Sequence, residues 1–104
     1  MTSENLAALL AERVMGWSVG PDRFLTGNRG WVPRWRFQPA EKLVDAFRLL
    51  EQAAPDEYSL CVDAKGNFQA TVTIAGATGE ANGVSKARVI TCAVARAVGI
   101  EVEP

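Results

Sequence analysis

The chain has 104 residues with a formal net charge of −1, and it contains no histidine. This length suits one domain with one core, and a hydrophobic fraction of 48% excludes a disordered polyelectrolyte. The absence of histidine excludes Ser-His-Asp and Cys-His catalysis and any zinc site that needs an imidazole ligand. We therefore expect one non-enzymatic domain over residues 1–104, with no catalytic residue, cofactor site or metal site.

A first helix is predicted over residues 3–15, where leucine and valine recur at helical spacing. Gly16 suits the left-handed backbone position that ends a helix. Trp17 follows it and is predicted to fold back into the core.

Residues 18–38 have no helical period, and their closely spaced glycine, proline and asparagine residues indicate turns. We predict a meander of two short strands in this segment. In the second strand, Trp35 and Phe37 are expected on one face and Arg34 and Arg36 on the other.

A second helix is predicted from Pro39 to Ala54, because proline suits the first helical position. Its apolar stripe consists of Leu43, Ala46, Phe47, Leu50 and Ala54. The charged residues of this stretch, Asp45 among them, are expected to point away from the core.

Apolar and polar residues alternate along residues 58–75, which predicts a β-hairpin. The apolar residues of the two strands lie on the same face of the hairpin only if the turn between the strands has an odd number of residues. A three-residue turn at 65–67, which pairs Leu60 with Val72, is favoured. A five-residue turn over 63–67 preserves the same parity, whereas a two-residue turn mixes the faces and is rejected.

Residues 76–83 contain three glycines and are predicted to form a flexible loop. This loop matches neither common phosphate-binding glycine motif, and Glu80 would repel a phosphate. Ser85 is predicted to cap a last helix over residues 86–98, which Gly99 ends.

Two cysteines are too few for a disulfide framework, so Cys61 and Cys92 are predicted to be reduced and mostly buried. An enzyme that uses Cys61 or Asp63 is the least favoured hypothesis, because mid-strand and mid-helix positions do not activate a thiol and Asp63 suits a turn.

No run reaches the roughly 18 apolar residues of a membrane span. Without a signal-peptide pattern at the N-terminus, we expect a cytoplasmic protein.

Residues 23–37 hold four arginines and no acidic residue. One interpretation buries the aromatic rings and leaves the arginines in solvent; the others are a protein-binding surface and a surface for single-stranded nucleic acid. The candidate residues for such a surface are Arg29, Trp31, Arg34, Trp35 and Arg36.

The run Leu10-Ala11-Glu12-Arg13-Val14-Met15-Gly16-Trp17 resembles the helix end "A-E-x-V-M-G-W" of small phage and prophage proteins with the phage ABA sandwich domain. The resemblance extends over nearly the whole chain, although residues 18–33 are richer in arginine than the family pattern. It implies a phage or prophage origin, an uncharacterised role and an α-β-α sandwich. Such a sandwich covers both faces of its sheet, so we expect a helix over part of the polar hairpin face.

These observations predict an α+β fold with three helices and a small antiparallel sheet of three or four strands. The favoured function is a phage-derived accessory or regulatory protein that binds a protein partner of unknown identity. Binding of single-stranded nucleic acid is the alternative.

Overall fold

The structure is a computed structural model, and it describes residues 3–27 and 30–102. Within these ranges the chain forms three α-helices, six β-strands and one 3₁₀ turn. Their bounds in chain order are α1 Ser3–Arg13, β1 Ser18–Val19, β2 Arg23–Gly27, β3 Gly30–Pro33, the 3₁₀ turn Arg34–Arg36, α2 Leu43–Ala53, β4 Glu57–Val62, β5 Phe68–Ile74, β6 Ala77–Gly83 and α3 Lys86–Ala97.

The strands form two separate antiparallel sheets, with strand orders β1-β2-β3 and β4-β5-β6. Helix α3 packs across β5 and β6, α2 packs on α3, and α1 contacts β1. The α+β class with three helices is confirmed. The single sheet of three or four strands is replaced by two sheets of three strands each.

One face of the second sheet is polar and open to solvent. Ser59 and Gln69 are exposed there, and Thr71 is half-buried. Thr73 and Thr78 share a hydrogen bond between their hydroxyl groups, at 3.0 Å. The expectation that a helix covers part of this face is wrong for the described residues, because α3 lies on the opposite, apolar face.

The first helix ends as expected. Gly16 has a φ of +72°, and the Trp17 backbone N–H donates to the Ala11 carbonyl at 2.9 Å. This hydrogen bond closes a seven-residue loop, one residue longer than the six-residue loop in which a left-handed glycine commonly ends a helix. It turns the Trp17 ring back into the core, where the side chain is 7% exposed.

Three aromatic rings fill the core between α1 and the first sheet. The ring centroids of Trp17, Phe24 and Phe37 lie 5.1 to 5.9 Å apart. The plane of the Phe37 ring makes an angle of 90° with the Phe24 ring and 67° with the Trp17 ring. Such tilted and edge-to-face contacts add to the free energy that burial of the rings contributes.

Residues 34–36 form a 3₁₀ turn and not the second strand of the expected meander. The Phe37 N–H donates to the Arg34 carbonyl at 3.3 Å, which closes that turn. Because a 3₁₀ turn has three residues per revolution, Trp35 and Phe37 do not share a face. Phe37 is 1% exposed and Trp35 is 62% exposed.

Helix α2 begins at Leu43 rather than at Pro39. Pro39 belongs to a preceding turn, and its carbonyl accepts a 2.7 Å hydrogen bond from the buried Thr91 hydroxyl of α3. Asp45 was expected in solvent but is 8% exposed, because its carboxylate accepts a 3.0 Å hydrogen bond from the Gln38 backbone N–H.

The hairpin of β4 and β5 uses the five-residue turn. Val62 pairs with Phe68 and Leu60 with Ala70, so the favoured three-residue turn is wrong while the odd parity is confirmed. Asp63 selects the longer turn, since its Oδ1 accepts from the backbone N–H groups of Lys65 at 2.8 Å and Asn67 at 2.9 Å.

The predicted glycine-rich loop over residues 76–83 is mostly strand β6. Ala75 and Gly76 both have positive φ, at 51° and 85°, and form the two-residue turn into it. A Cβ on Gly79 would collide with the backbone of Ala93 and Ala97 in α3. The small residues of β6 therefore allow the helix to lie directly on the sheet.

The last helix is confirmed. The Ser85 hydroxyl accepts from the Arg88 backbone N–H at 3.4 Å at its start. Gly99, with a φ of +87°, follows its end. None of the helices in the described ranges is long and apolar enough to cross a membrane.

Candidate functional site

The candidate residues lie at the first-sheet end of the molecule. Arg29 lies outside the described residues. Trp31 on β3 is 54% exposed, and Trp35 on the 3₁₀ turn is exposed as well, with Arg36 beside it. Of the four aromatic rings in residues 23–37, Phe24 and Phe37 are therefore buried in the core, and the two tryptophans are exposed to solvent.

The outer face of the first sheet presents an arginine, a leucine and a tryptophan. Leu25 pairs with Trp31 and Arg23 with Pro33, which places these side chains opposite the buried Phe24. The Arg23 guanidinium lies 4.8 Å from the centroid of the Trp31 ring. Leu25 is 49% exposed beside them.

Asp22 partly neutralises Arg23. The Arg23 Nε and the Asp22 Oδ1 are 3.2 Å apart. The hydrogen bond from Arg23 lowers the pKa of Asp22, and the carboxylate in turn raises the pKa of Arg23. Both groups are exposed, so water screens this pair and its contribution to stability is small.

The 3₁₀ turn adds two further arginine–ring pairs. The Arg34 guanidinium lies 5.5 Å from the Phe24 ring centroid, and its Nη1 donates to the Pro21 carbonyl at 3.4 Å. The Arg36 guanidinium lies 5.5 Å from the Trp35 ring centroid. Each exposed tryptophan thus has an arginine over its ring, a geometry in which the cation is attracted to the ring face.

A cleft of about 400 Å³ opens beside the 3₁₀ turn, between it and the residues that lead into α2. Its apolar wall includes Phe24, Trp35 and Phe37, and its charged groups include Asp22, Arg34 and Glu41. The volume matches a small-ligand or side-chain pocket. Charges of both signs line it, so it does not form a continuous cationic track.

The thiols and Asp63 lie at the other end of the molecule. Cys92 is buried in α3 as predicted, but the prediction of burial is wrong for Cys61, which is exposed on β4 because its side chain lies on the polar face of the sheet. Burial raises the pKa of the Cys92 thiol, and this outweighs the opposite effect of Arg88 and Arg96. The Oδ1 of Asp63 accepts two backbone hydrogen bonds within the hairpin turn. No cluster of three or more metal-ligand side chains occurs among the described residues.

Sequence reasoning missed three members of the exposed face and cleft. Arg23 and Leu25 flank the buried Phe24, and that alternation was the available signal for an outward face. Glu41 reaches the cleft through tertiary folding, since it lies in the turn before α2. No local sequence pattern marks it.

The fold is shared with a solved phage protein from Bacillus cereus ATCC 14579. The two chains have a TM-score of 0.79 and 17% sequence identity, and the match covers 99% of this chain and 93% of that one. No protein-family model matches the sequence, and no curated protein matches it significantly. The comparison shows a fold in common with a phage protein. Membership of the ABA sandwich family stays a prediction.

Proposed function

We propose that this protein is a phage-derived accessory or regulatory protein that acts by binding another protein. The binding site is the Arg/Trp surface, which we define as Arg23, Leu25, Trp31, Arg34, Trp35 and Arg36. The observation that carries the proposal is the exposure of Trp31 and Trp35, both more than half in solvent with an arginine over each ring.

The composition and geometry of this surface favour a protein partner. Tryptophan and arginine are among the residue types that are enriched at positions dominating protein–protein binding energies. The arginines hold the two tryptophan rings before a partner arrives, which reduces the conformational entropy lost on binding. The cleft beside Trp35 offers a pocket for one apolar side chain of the partner.

A phage origin is supported by the fold shared with the Bacillus cereus phage protein. A non-enzymatic role is supported by the state of the reactive groups. The thiol of Cys92 is buried with a raised pKa, and Asp63 is engaged in a turn. Neither group adjoins the cleft.

Binding of single-stranded nucleic acid is the second candidate. Exposed rings beside guanidinium groups are the combination that such proteins use for stacking and for phosphate contacts. Against this candidate, Asp22 already pairs with Arg23, and Glu41 faces the same cleft as Arg34. These carboxylates would repel a phosphate backbone.

Site-specific cross-linking tests the proposal. A photoreactive amino acid replaces Glu41, which is exposed on the cleft beside Trp35, in one variant and Val84 in a matched control; Val84 is 81% exposed and lies just before α3. Expressed in a bacterial host, the variant at position 41 should cross-link to one discrete protein, and the variant at 84 should not. Arg34→Glu combined with Arg36→Glu should abolish the cross-link, whereas Arg88→Glu on exposed α3 surface should not.

A salt series separates the two candidates. Three arginines on the phosphates of a single strand would lower affinity roughly 20-fold between about 50 and 200 mM salt. We expect a much weaker salt dependence for the protein complex. Binding of a thymine oligonucleotide with the steep dependence, and loss of that binding on Arg34→Glu, would replace the proposal with the second candidate.

A further inference from the structure

The cleft beside the 3₁₀ turn contains two charged groups of opposite sign, Arg34 and Glu41. Neither forms an ion pair with another group in residues 3–27 and 30–102. Asp22 also lines the cleft, but its two carboxylate oxygens accept hydrogen bonds from Arg23 at 3.2 and 3.3 Å. A ligand in the cleft therefore meets one positive and one negative charge that are not yet compensated.

The two charges belong to different walls of the cleft. Arg34 lies on the 3₁₀ turn, and Glu41 lies in the segment before α2. The half-buried Arg34 side chain is held by the Pro21 carbonyl, which accepts from Nη1 at 3.4 Å, and by the Phe24 ring, whose centroid is 5.5 Å from the guanidinium. The other N–H groups of the guanidinium suit a carboxylate, and the exposed Glu41 carboxylate suits an ammonium group.

Aromatic rings form much of the remaining wall. Phe24 and Phe37 line the cleft from the core, and the exposed ring of Trp35 lines it as well. A ligand with a ring of its own can pack against them in the tilted contacts that aromatic rings prefer. The volume of about 400 Å³ is near the lower end of the range for ligand pockets, so a ligand with one ring fits better than a larger one.

The wall that carries Glu41 is held in place by two hydrogen bonds to buried side chains. The Pro39 carbonyl accepts from the Thr91 hydroxyl at 2.7 Å, and the Gln38 N–H donates to the Asp45 carboxylate at 3.0 Å. Because Thr91 and Asp45 are buried, water competes little for either bond. A wall formed before the ligand arrives reduces the conformational entropy lost on binding.

We propose that this cleft binds a free α-amino acid with an aromatic side chain. The carboxylate of the amino acid accepts hydrogen bonds from Arg34, and its ammonium group donates to Glu41. Its ring packs against the aromatic wall of the cleft. The charges select a zwitterion, because an anion leaves Glu41 without a partner and a cation leaves Arg34 without one.

The amino acid competes with the proposed protein partner. Arg34 and Trp35 belong both to the cleft and to the Arg/Trp surface, so the ligand occupies the pocket that the partner's apolar side chain would enter. This competition rests on the proposed function, whereas binding of the amino acid does not.

Three matched ligands test the proposal on the purified full chain. L-Phenylalanine carries both charges, 3-phenylpropionate carries only the carboxylate, and phenethylamine carries only the ammonium group. In titrations followed by NMR chemical shifts, phenylalanine should bind at least about tenfold more tightly than either analogue, since each analogue lacks one charge-assisted hydrogen bond. Equal affinities for the three ligands, or no binding of phenylalanine, would overturn the proposal.

Two variants assign the charges. Arg34→Gln should reduce the affinity for phenylalanine to about that for phenethylamine, and Glu41→Gln should reduce it to about that for 3-phenylpropionate. Arg88→Gln is the control, because it removes a positive charge from exposed surface of α3 outside this cleft, and it should leave the order of affinities unchanged. Each comparison is made between ligands of one variant, so a general loss of stability does not imitate it. A full preference for phenylalanine in Arg34→Gln or Glu41→Gln would overturn the proposal.

The amino acid site and the proposed function fail separately. Phenylalanine binding by a chain that cross-links to no protein would support the site and overturn the proposed function. A cross-link to a partner without phenylalanine binding would overturn the site alone.

Discussion

The two ends of the molecule pack by different means. At the first-sheet end, three large rings form the core, strands are short, and a cleft remains open between the 3₁₀ turn and α2. At the second-sheet end, α3 touches the sheet through backbone atoms at Gly79. This backbone contact leaves no room for a side chain at position 79, whereas the core of aromatic rings leaves Trp31 and Trp35 outside it. The second-sheet end is therefore the more closely packed part of the molecule, and the first-sheet end carries the proposed binding surface.

The largest expected effect concerns the scaffold. Gly79→Ala places a Cβ against the backbone of Ala93 and Ala97, so α3 must shift as a whole. We expect the free energy of unfolding to fall by about 4 kcal/mol and the melting temperature by roughly 20 °C. Gly83→Ala is the control, because its Cβ would meet only the Val89 Cγ2 at 3.5 Å. Equal stability of the two variants by thermal denaturation would contradict the close contact.

The next largest loss of stability is expected for a ring in the core, Phe37, in comparison with an exposed ring, Trp35. Phe37→Ala empties the centre of the aromatic cluster, and we expect a loss of about 3 kcal/mol in urea denaturation. Trp35→Ala removes a ring that is mostly in solvent, so its cost should stay below about 1 kcal/mol. A larger loss for Trp35→Ala than for Phe37→Ala would show that the two rings have been assigned to the wrong sides.

A smaller loss of stability is expected from the hydrogen bond that links α3 to the segment between the first sheet and α2. The Thr91 hydroxyl of α3 donates to the Pro39 carbonyl in the segment that leads from the first sheet to α2. Thr91→Val keeps the shape and leaves that buried carbonyl without its donor, which should cost about 1–2 kcal/mol. Thr91→Ser retains the hydroxyl and should lose less. Urea denaturation of both variants measures the difference.

The smallest effect is a pH dependence at the hairpin turn. Backbone hydrogen bonds from Asn67 and Lys65 lower the pKa of Asp63 below its ordinary value of 3.8. Stabilisation from the ionised carboxylate is therefore present above pH 3.8 and is lost as the pH falls through the pKa of the folded state. Wild type should be more stable than Asp63→Asn near neutral pH, and the difference should shrink in acid. A difference that grows in acid would contradict this assignment.

The sequence predicts those elements in which local pattern and tertiary packing agree. Helix α1 and its Gly16 end, the Ser85 cap and the hairpin parity are of this kind. Strand β6 was missed because glycine usually marks loops, yet small residues alternate with polar ones from Ala77 to Gly83. That period of two was the signal of a strand under a close helix.

The remaining errors have tertiary causes. Pro39 fits a helix start in isolation, but the contact of its carbonyl with Thr91 holds it in a turn. The alternation at Trp35 and Phe37 suggested a strand, while the 3₁₀ turn separates the two rings. Whether the candidate surface binds a partner stays a prediction; the structure shows that Trp31 and Trp35 are exposed, and it brings Glu41 to the adjoining cleft from outside the segment.

The most direct test of the account is the affinity of the cross-linked partner for a Trp31→Ala/Trp35→Ala variant, measured by calorimetric titration. If these rings dominate the binding energy, the Kd should rise at least about 100-fold, while the variant keeps the wild-type thermal transition within a few degrees. An unchanged Kd in a folded variant would show that the protein binds its partner elsewhere.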